Sequence, residues 1–151
     1  MTISVSRVSE ATEEICDALN SLVPQLSTSA SSLSLRELTD IVASPTVNLL
    51  IAHNDRLIVG TLTLIIFQIP SGLRAWIEDV IVDKDSRALG VGEKLIQFAI
   101  DLAHSKGVRS IDLTSRPSRE SANRLYQRLG FTIRETNVYR FAAKDPIQKE
   151  H

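Results

Sequence analysis

The sequence predicts a mixed α/β layered fold, and three observations predict it. Two early segments carry apolar residues at helical spacing, a central block holds β-branched runs separated by turn signals, and a strand then runs through a glycine turn into an amphipathic helix. The expected order is α-α-β-β-β-α-β-α-β. Residues 10–22 place Ile15, Ala18, Leu19 and Leu22 on one stripe, with acidic residues in the first turn where the helix dipole favours them. Pro24 to Ser34 is rich in serine and threonine and reads as a flexible connection. Ser34, with Glu37 three residues on, forms a capping-box pattern ahead of Leu35, Leu38, Ile41 and Val42. Asn48 to His53 and Leu57 to Gln68 flank a His-Asn-Asp-Arg turn signal and predict an antiparallel hairpin. Arg74 to Val82 is a further strand. Gly90 and Gly92 open a helix running through Ser105, with Leu95, Ile96, Ala99, Leu102 and Ala103 facing the core and Gly107 as its stop. Ser110 to Thr114 reads as a short strand, Ser118 to Leu129 as a helix closed by Gly130, and Phe131 to Phe141 as one or two final strands.

Composition narrows the function classes. The 151 residues fit one domain, 1–151, and 43% of them are apolar. The formal charge of −1 and a pI near 6.3 give no electrostatic case for nucleic acid or an anionic membrane surface. Arginines do gather late, from Arg109 to Arg140, which leaves room for a local anion site. The single cysteine, Cys16, cannot close an intramolecular disulfide and reads as a small buried hydrophobe in a reducing compartment. Met1 to Glu10 carries no secretory pattern, and the greasy run Leu57 to Ile69 is too short to span a bilayer. A soluble, cytoplasmic protein is expected. No metal site is expected either: His53 is placed in a turn, His104 at a helix end and His151 at the terminus, without ligand spacing.

The informative segment runs from Val80 to Gly92. A strand feeds a glycine-containing loop that becomes the first turn of a helix. Amides at a helix start have no internal partners, the dipole adds partial positive charge, and glycine admits close approach of a phosphate. The arrangement suits a pyrophosphate, with Arg87 as a charged fork beside it. The dinucleotide fingerprint fails, because Leu95 stands where its third glycine belongs. The nucleotide P-loop fails too, because Glu93 separates Gly92 from Lys94.

Two motifs in order resemble the GNAT superfamily of acetyl-CoA-dependent N-acetyltransferases. Its Arg/Gln-x-x-Gly-x-Gly/Ala motif is matched by Arg87, Gly90 and Gly92. Its Leu-Tyr-x-x-x-Gly-Phe motif is matched by Leu125, Tyr126, Gly130 and Phe131. The resemblance covers residues 76–131 well and the N-terminal third only in element order. It implies a GNAT-like mixed, mostly antiparallel sheet flanked by helices and splayed between strands 4 and 5, opening near Val80 and Ile111. It also implies acetyl-CoA as cosubstrate. Val80, Ile81 and Val82 would pair with the pantetheine arm, and the amides of Arg87, Ala88, Leu89, Gly90, Val91 and Gly92 would hold the pyrophosphate. Asn123 and Tyr126, three apart on one helical face, would look toward the thioester. The family often has an asparagine seven residues before the tyrosine, where this chain has Arg119; the role could pass to Asn123.

Acetyl transfer needs a neutral amine and a stabilised thiolate. Tyr126 is the candidate acid, set against a purely packing aromatic. Glu78 is the candidate base with Asp79 as alternate, set against a solvent-facing carboxylate; strand alternation would send the two to opposite faces. The expected function is N-acetyl transfer to a primary amine, small molecule or peptide, through a ternary complex. The rival readings are a non-catalytic CoA-binding sensor and a structural interaction module. The family's frequent dimers leave a homodimer open.

Overall fold

A computed structural model describes residues 2–143. Five strands and four α-helices appear in chain order: β1 (Ile3–Arg7), α1 (Glu13–Leu22), α2 (Leu35–Ala43), β2 (Val47–Asn54), β3 (Leu57–Ile69), β4 (Gly72–Val82), α3 (Val91–Ser105), β5 (Ile111–Asp112) and α4 (Glu120–Arg128). The sheet order is β1-β2-β3-β4-β5. Every neighbouring pair is antiparallel except β4 and β5, which are parallel.

Most local expectations hold for the reasons given. Ser34 and Glu37 close the expected reciprocal capping box on α2, and the Thr12 side chain, not singled out in the sequence, caps α1 at the Ile15 amide. The Gly107 and Gly130 residues that end α3 and α4 have φ of 81° and 104°, the left-handed geometry of helix stops. Three expectations need correction. The first strand, β1, is absent from the expected order: Ile3–Arg7 holds too few apolar residues to announce a strand, and it forms because its backbone pairs with β2 from Ile3↔Asn54 to Arg7↔Leu50. His53 lies within β2 and not in the turn, which is made by Asp55 and Arg56. No strand forms in Phe131 to Phe141, where the chain bends at Glu135 without joining the sheet.

The sheet is covered on both faces. One core packs Leu62, Leu64, Ala75 and Ile77 against Leu95, Ile96, Ala99 and Ala103 of α3, with Tyr126 of α4 at its margin. The other packs Leu49 and Ile51 against Cys16 and Leu19 of α1 and Leu38 of α2. Cys16 is buried there, as its small apolar character predicts. The start of α3 comes so close to β3 that a Cβ on Gly60 would stand 3.0 Å from Val91 and 3.1 Å from Leu95. That contact fixes where the helix leaves the sheet.

Candidate active site

The site begins with a fault in β4. Thr63 pairs with Glu78 but Thr61 pairs with Ile81, so Asp79 and Val80 together oppose Leu62. This is a β-bulge, and Asp79 takes a φ of +49° to make it. The extra residue reverses the facing of everything beyond it. Ala75 and Ile77 lie on the α3 side before the bulge, and Val80 and Val82 pack on that same side after it. Simple alternation, which would set Glu78 and Asp79 on opposite faces, does not apply through this stretch.

The sheet opens at the same place. β4 pairs with β5 only at Ala75↔Ile111 and Trp76↔Asp112. Beyond Trp76 the two strands part, and among the described residues no backbone hydrogen bond reaches the outer edge of β4 from Ile77 to Val82. Ile111 therefore sits at the closed end of the splay and not at its opening. A free strand edge with unpaired N–H and C=O groups is a template for an amide-bearing chain.

The open edge leads into the loop before α3. Ser86 is buried, while Arg87 to Gly90 are exposed. Ala88 and Gly90 both adopt positive φ, 66° and 79°, and Gly90 caps α3 with no side-chain partner. Among the described residues, none of the amides from Arg87 to Glu93 donates to a backbone carbonyl. The two left-handed residues turn the chain between extended Arg87 and the first turn of α3, whose dipole adds to the field of the loop's amides. The loop is braced from the N-terminal side: Gln25 donates to Asp83 Oδ1 at 2.9 Å and accepts from the Lys84 amide at 3.0 Å. These exposed amides fit a phosphate group, and nothing fills the space where a Gly90 Cβ would stand.

Helix α4 lies between the start of α3 and the groove beside β5. A Cβ on Gly92 would lie 3.3 Å from Leu125 Cδ2, and Arg128 reaches Glu93 at 3.6 Å, so α4 rests against the first turn of α3. Tyr126, the next residue, turns away from that contact into a groove of about 880 Å³ beside β5, where Asn123 also lies. The structure therefore brings Tyr126 and Asn123 together in this groove, while Val80 and Val82 pack against the same core cluster as Tyr126 without lining the groove. Tyr126 is buried with its ring 6.0 Å from that of Phe131, edge to face. Burial raises the pKa of its phenol above the ordinary value, and nearby Arg119 offsets part of the rise. The phenol thus keeps its proton at neutral pH. The Asn123 amide donates to the Arg116 carbonyl at 2.9 Å, and its amide oxygen remains to meet a ligand.

Glu78 accepts a hydrogen bond from Trp76 Nε1 at 2.6 Å, so its carboxylate is held along the strand. Although Asp79 is exposed as a residue, desolvation of its carboxyl, with the Glu78 charge second, raises its pKa. Two features have no counterpart in the sequence reading. Ser115 Oγ is buried without a hydrogen-bond partner and lines the groove, so a polar ligand atom would satisfy it. Arg74 and Arg134 share the Asp112 carboxylate at the groove wall, Arg134 at 3.9 Å. No spacing signal announces either, because their partners are distant in the chain.

Comparison with known proteins places this geometry. The acetyltransferase (GNAT) family model matches residues 14–131. An uncharacterised N-acetyltransferase of Methanocaldococcus jannaschii is 38% identical over 61 residues, which span 40% of this chain and only 27% of that relative. An aminoglycoside acetyltransferase from an uncultured soil metagenomic sample, solved with trehalose, superposes with a TM-score of 0.84 at 20% identity, over 95% of this chain and 97% of that one. Glucosamine-6-phosphate N-acetyltransferase from Arabidopsis thaliana superposes with a TM-score of 0.79 at 18% identity, over 93% and 99%. Among the described residues no group of His, Cys, Asp and Glu could hold a metal ion, and no helix is long and apolar enough to cross a membrane.

Proposed function

The chain belongs to the acetyltransferase (GNAT) family, and from that premise we propose that it moves the acetyl group of acetyl-CoA onto a primary amine by direct attack in a ternary complex. One observation carries the reading: the free edge of β4 runs straight into exposed amides at the start of α3. A pantetheine arm has amides to pair with such an edge, and its diphosphate is an anion for such a loop. Val80 to Val82 would hold the arm, and the amides from Arg87 to Gly92, with the Arg87 guanidinium, would hold the diphosphate.

The chemistry then has two proton demands. The amine nitrogen attacks the thioester carbonyl, the C–S bond breaks, and the nitrogen must lose a proton while the sulfur gains one. Tyr126, whose buried phenol stays protonated, would donate to sulfur. Glu78 would take the amine proton directly or through water, with Asp79 as alternate. Asp79's raised pKa would make it a stronger base than an ordinary aspartate, while the Trp76 hydrogen bond makes Glu78 the better positioned. Most of the rate enhancement would come from holding amine and thioester in line.

Amino sugars head the acceptor panel, because an aminoglycoside and glucosamine-6-phosphate name the substrates of two structural relatives. Lysine-containing peptides and simple polyamines complete it. The test has two stages. Acetyl-CoA at 100 times its Kd should add about 2.7 kcal/mol of apparent stability. Release of free CoA thiol should then depend on one class of amine. A thermal shift without turnover on any amine would favour a CoA-binding sensor; no shift at all would refute the binding reading.

A further inference from the structure

The connection between α1 and α2 is tied at its two ends. At its start, the short helical turn Val23–Gln25 lies against β4. Gln25 is half-buried there and its side-chain amide makes three bonds. Nε2 donates to the Ser21 carbonyl at 3.2 Å and to Asp83 Oδ1 at 2.9 Å, and Oε1 accepts from the Lys84 amide at 3.0 Å. At the far end, the Asn20 side chain pairs with the Leu33 backbone, donating to its carbonyl at 2.9 Å and accepting from its amide at 2.7 Å. Thr28 to Ser32, between these anchors, is exposed, and among the described residues its hydrogen bonds run only back to Ser27. The anchors therefore set where this stretch stands. The Gln25 anchor is made to Asp83 and Lys84, the residues that link β4 to the loop before α3.

The same stretch stands on the side of the sheet that carries the candidate base. Ile77 packs toward α3, so Glu78, the next residue and the last before the bulge, faces the side that α1 and α2 cover. An amine presented to Glu78 arrives from this side, past the connection. Five of the six residues from Ser27 to Ser32 carry hydroxyls, which can both donate to and accept from a polar acceptor. The anchor suits glutamine in particular, because one carboxamide must donate to a carboxylate and accept from a backbone amide at once. Among the described residues Asp83 has no ion pair, and the bond from Gln25 is charge-assisted. Asp83 and the residues after it keep anchors of their own: the Asp83 amide donates to the Val59 carbonyl at 2.8 Å, and the Ser86 amide to the Asp83 carbonyl at 2.9 Å.

We propose that Gln25 is a positioning residue for the acceptor: by bonding Asp83 and Lys84, it seats residues 26–33 beside β4 as the wall that the incoming amine meets. The acceptor's identity as an amine rests on the proposed acetyl transfer; the latch itself does not. Gln25 acts through the wall and not on the reacting atoms. Its loss frees the wall while Glu78, Tyr126 and the loop amides stay in place, so the effect falls on the KM of the amine and spares kcat. A carboxylate at position 25 still accepts from the Lys84 amide but faces the unpaired charge of Asp83. A carboxamide at position 83 then restores the latch with donor and acceptor exchanged, forgoing only the 3.2 Å bond to Ser21.

Two readouts test this, and one needs no catalysis. A nitroxide on exposed Ala30→Cys reports the mobility of the wall, with buried Cys16 left unlabelled. Gln25→Ala should make the label more mobile. Gln25→Glu should do so at about pH 8 and less at about pH 5, where the facing carboxyls share a proton. Gln25→Glu combined with Asp83→Asn should return the label to wild-type mobility at both values. In steady-state kinetics with the best amine of the panel, Gln25→Ala should raise the amine KM about tenfold, with kcat and the Kd of acetyl-CoA unchanged, and the double variant should recover the wild-type KM. A label indifferent to Gln25, a fall in kcat at constant amine KM, or a double variant no better than Gln25→Glu would overturn the proposal. A wild type that turns over no amine refutes the transfer reading instead, and the label then decides the latch by itself.

Discussion

Removing one oxygen from Tyr126 separates catalysis from architecture. The ring is buried and packs edge to face on Phe131, but the hydroxyl has no protein hydrogen-bond partner among the described residues and faces the groove. Tyr126→Phe keeps every packing contact, so stability should change by no more than about 1 kcal/mol. For a chain of this length that is a Tm shift of about 2–4 °C. Tyr126→Ala, which empties the site, should cost about 3–5 kcal/mol. If the phenol protonates the leaving thiolate, Tyr126→Phe should lower kcat by roughly 10²–10⁴, an increase of about 3–5 kcal/mol in the barrier. Binding of acetyl-CoA, measured by calorimetry, should be unchanged, because Leu125, not Tyr126, is the α4 residue that abuts Gly92 at the end of the loop before α3. Since burial raises the phenol's pKa, the wild-type rate should hold to higher pH than an ordinary tyrosine would allow, and the Phe variant should lack that alkaline limb. Steady-state kinetics from about pH 6 to 10.5 on both proteins, a range that brackets the ordinary phenol pKa, with thermal melts alongside, decides it. An unchanged rate across that range would refute the acid assignment and leave Tyr126 a packing residue.

Four further outcomes follow from the same geometry. Gly90→Val forces a β-branched residue into a φ of 79°, which should cost about 1–2 kcal/mol and weaken acetyl-CoA binding at least tenfold, as calorimetry would show. Glu78→Gln can still accept from Trp76, so turnover should fall at neutral pH and partly recover at high pH; equal rates in a pH series would exclude the carboxylate as base. Asp79 has a raised native pKa, so the folded state holds its proton more tightly than the unfolded chain and stability declines as pH rises above the ordinary carboxylate range. Asp79→Asn, which tolerates the positive φ, should therefore raise Tm at neutral pH and leave it unchanged at about pH 3, where both states are protonated. Leu62→Ala, in the fully buried centre of β3, should cost about 2–5 kcal/mol by urea denaturation without altering the affinity of surviving protein for acetyl-CoA.

Much of this molecule is written in short-range terms. The caps at Thr12 and Ser34, the glycines that end α3 and α4, the apolar stripe of α3 and the strand-to-helix glycine turn involve residues within a few positions of one another. Sequence periodicity and spacing report such relations directly, which is why the helices, the hairpin and the exposed glycine turn before α3 are legible in the amino-acid order. Three things are not. Strand β1 exists because β2 offers it a partner. The bulge at Asp79 depends on the register of β3 against β4, which no local pattern in Trp76–Val82 reveals. Residues 131–141 are strand-like in composition yet lie outside the sheet, and among the described residues no backbone hydrogen bond reaches Thr132 to Phe141. Sequence alone determined what each segment prefers and which loop presents unpaired amides. Tertiary structure decided which segments find partners, because a strand's backbone hydrogen bonds are made to another segment and their energy is absent until that segment is in place.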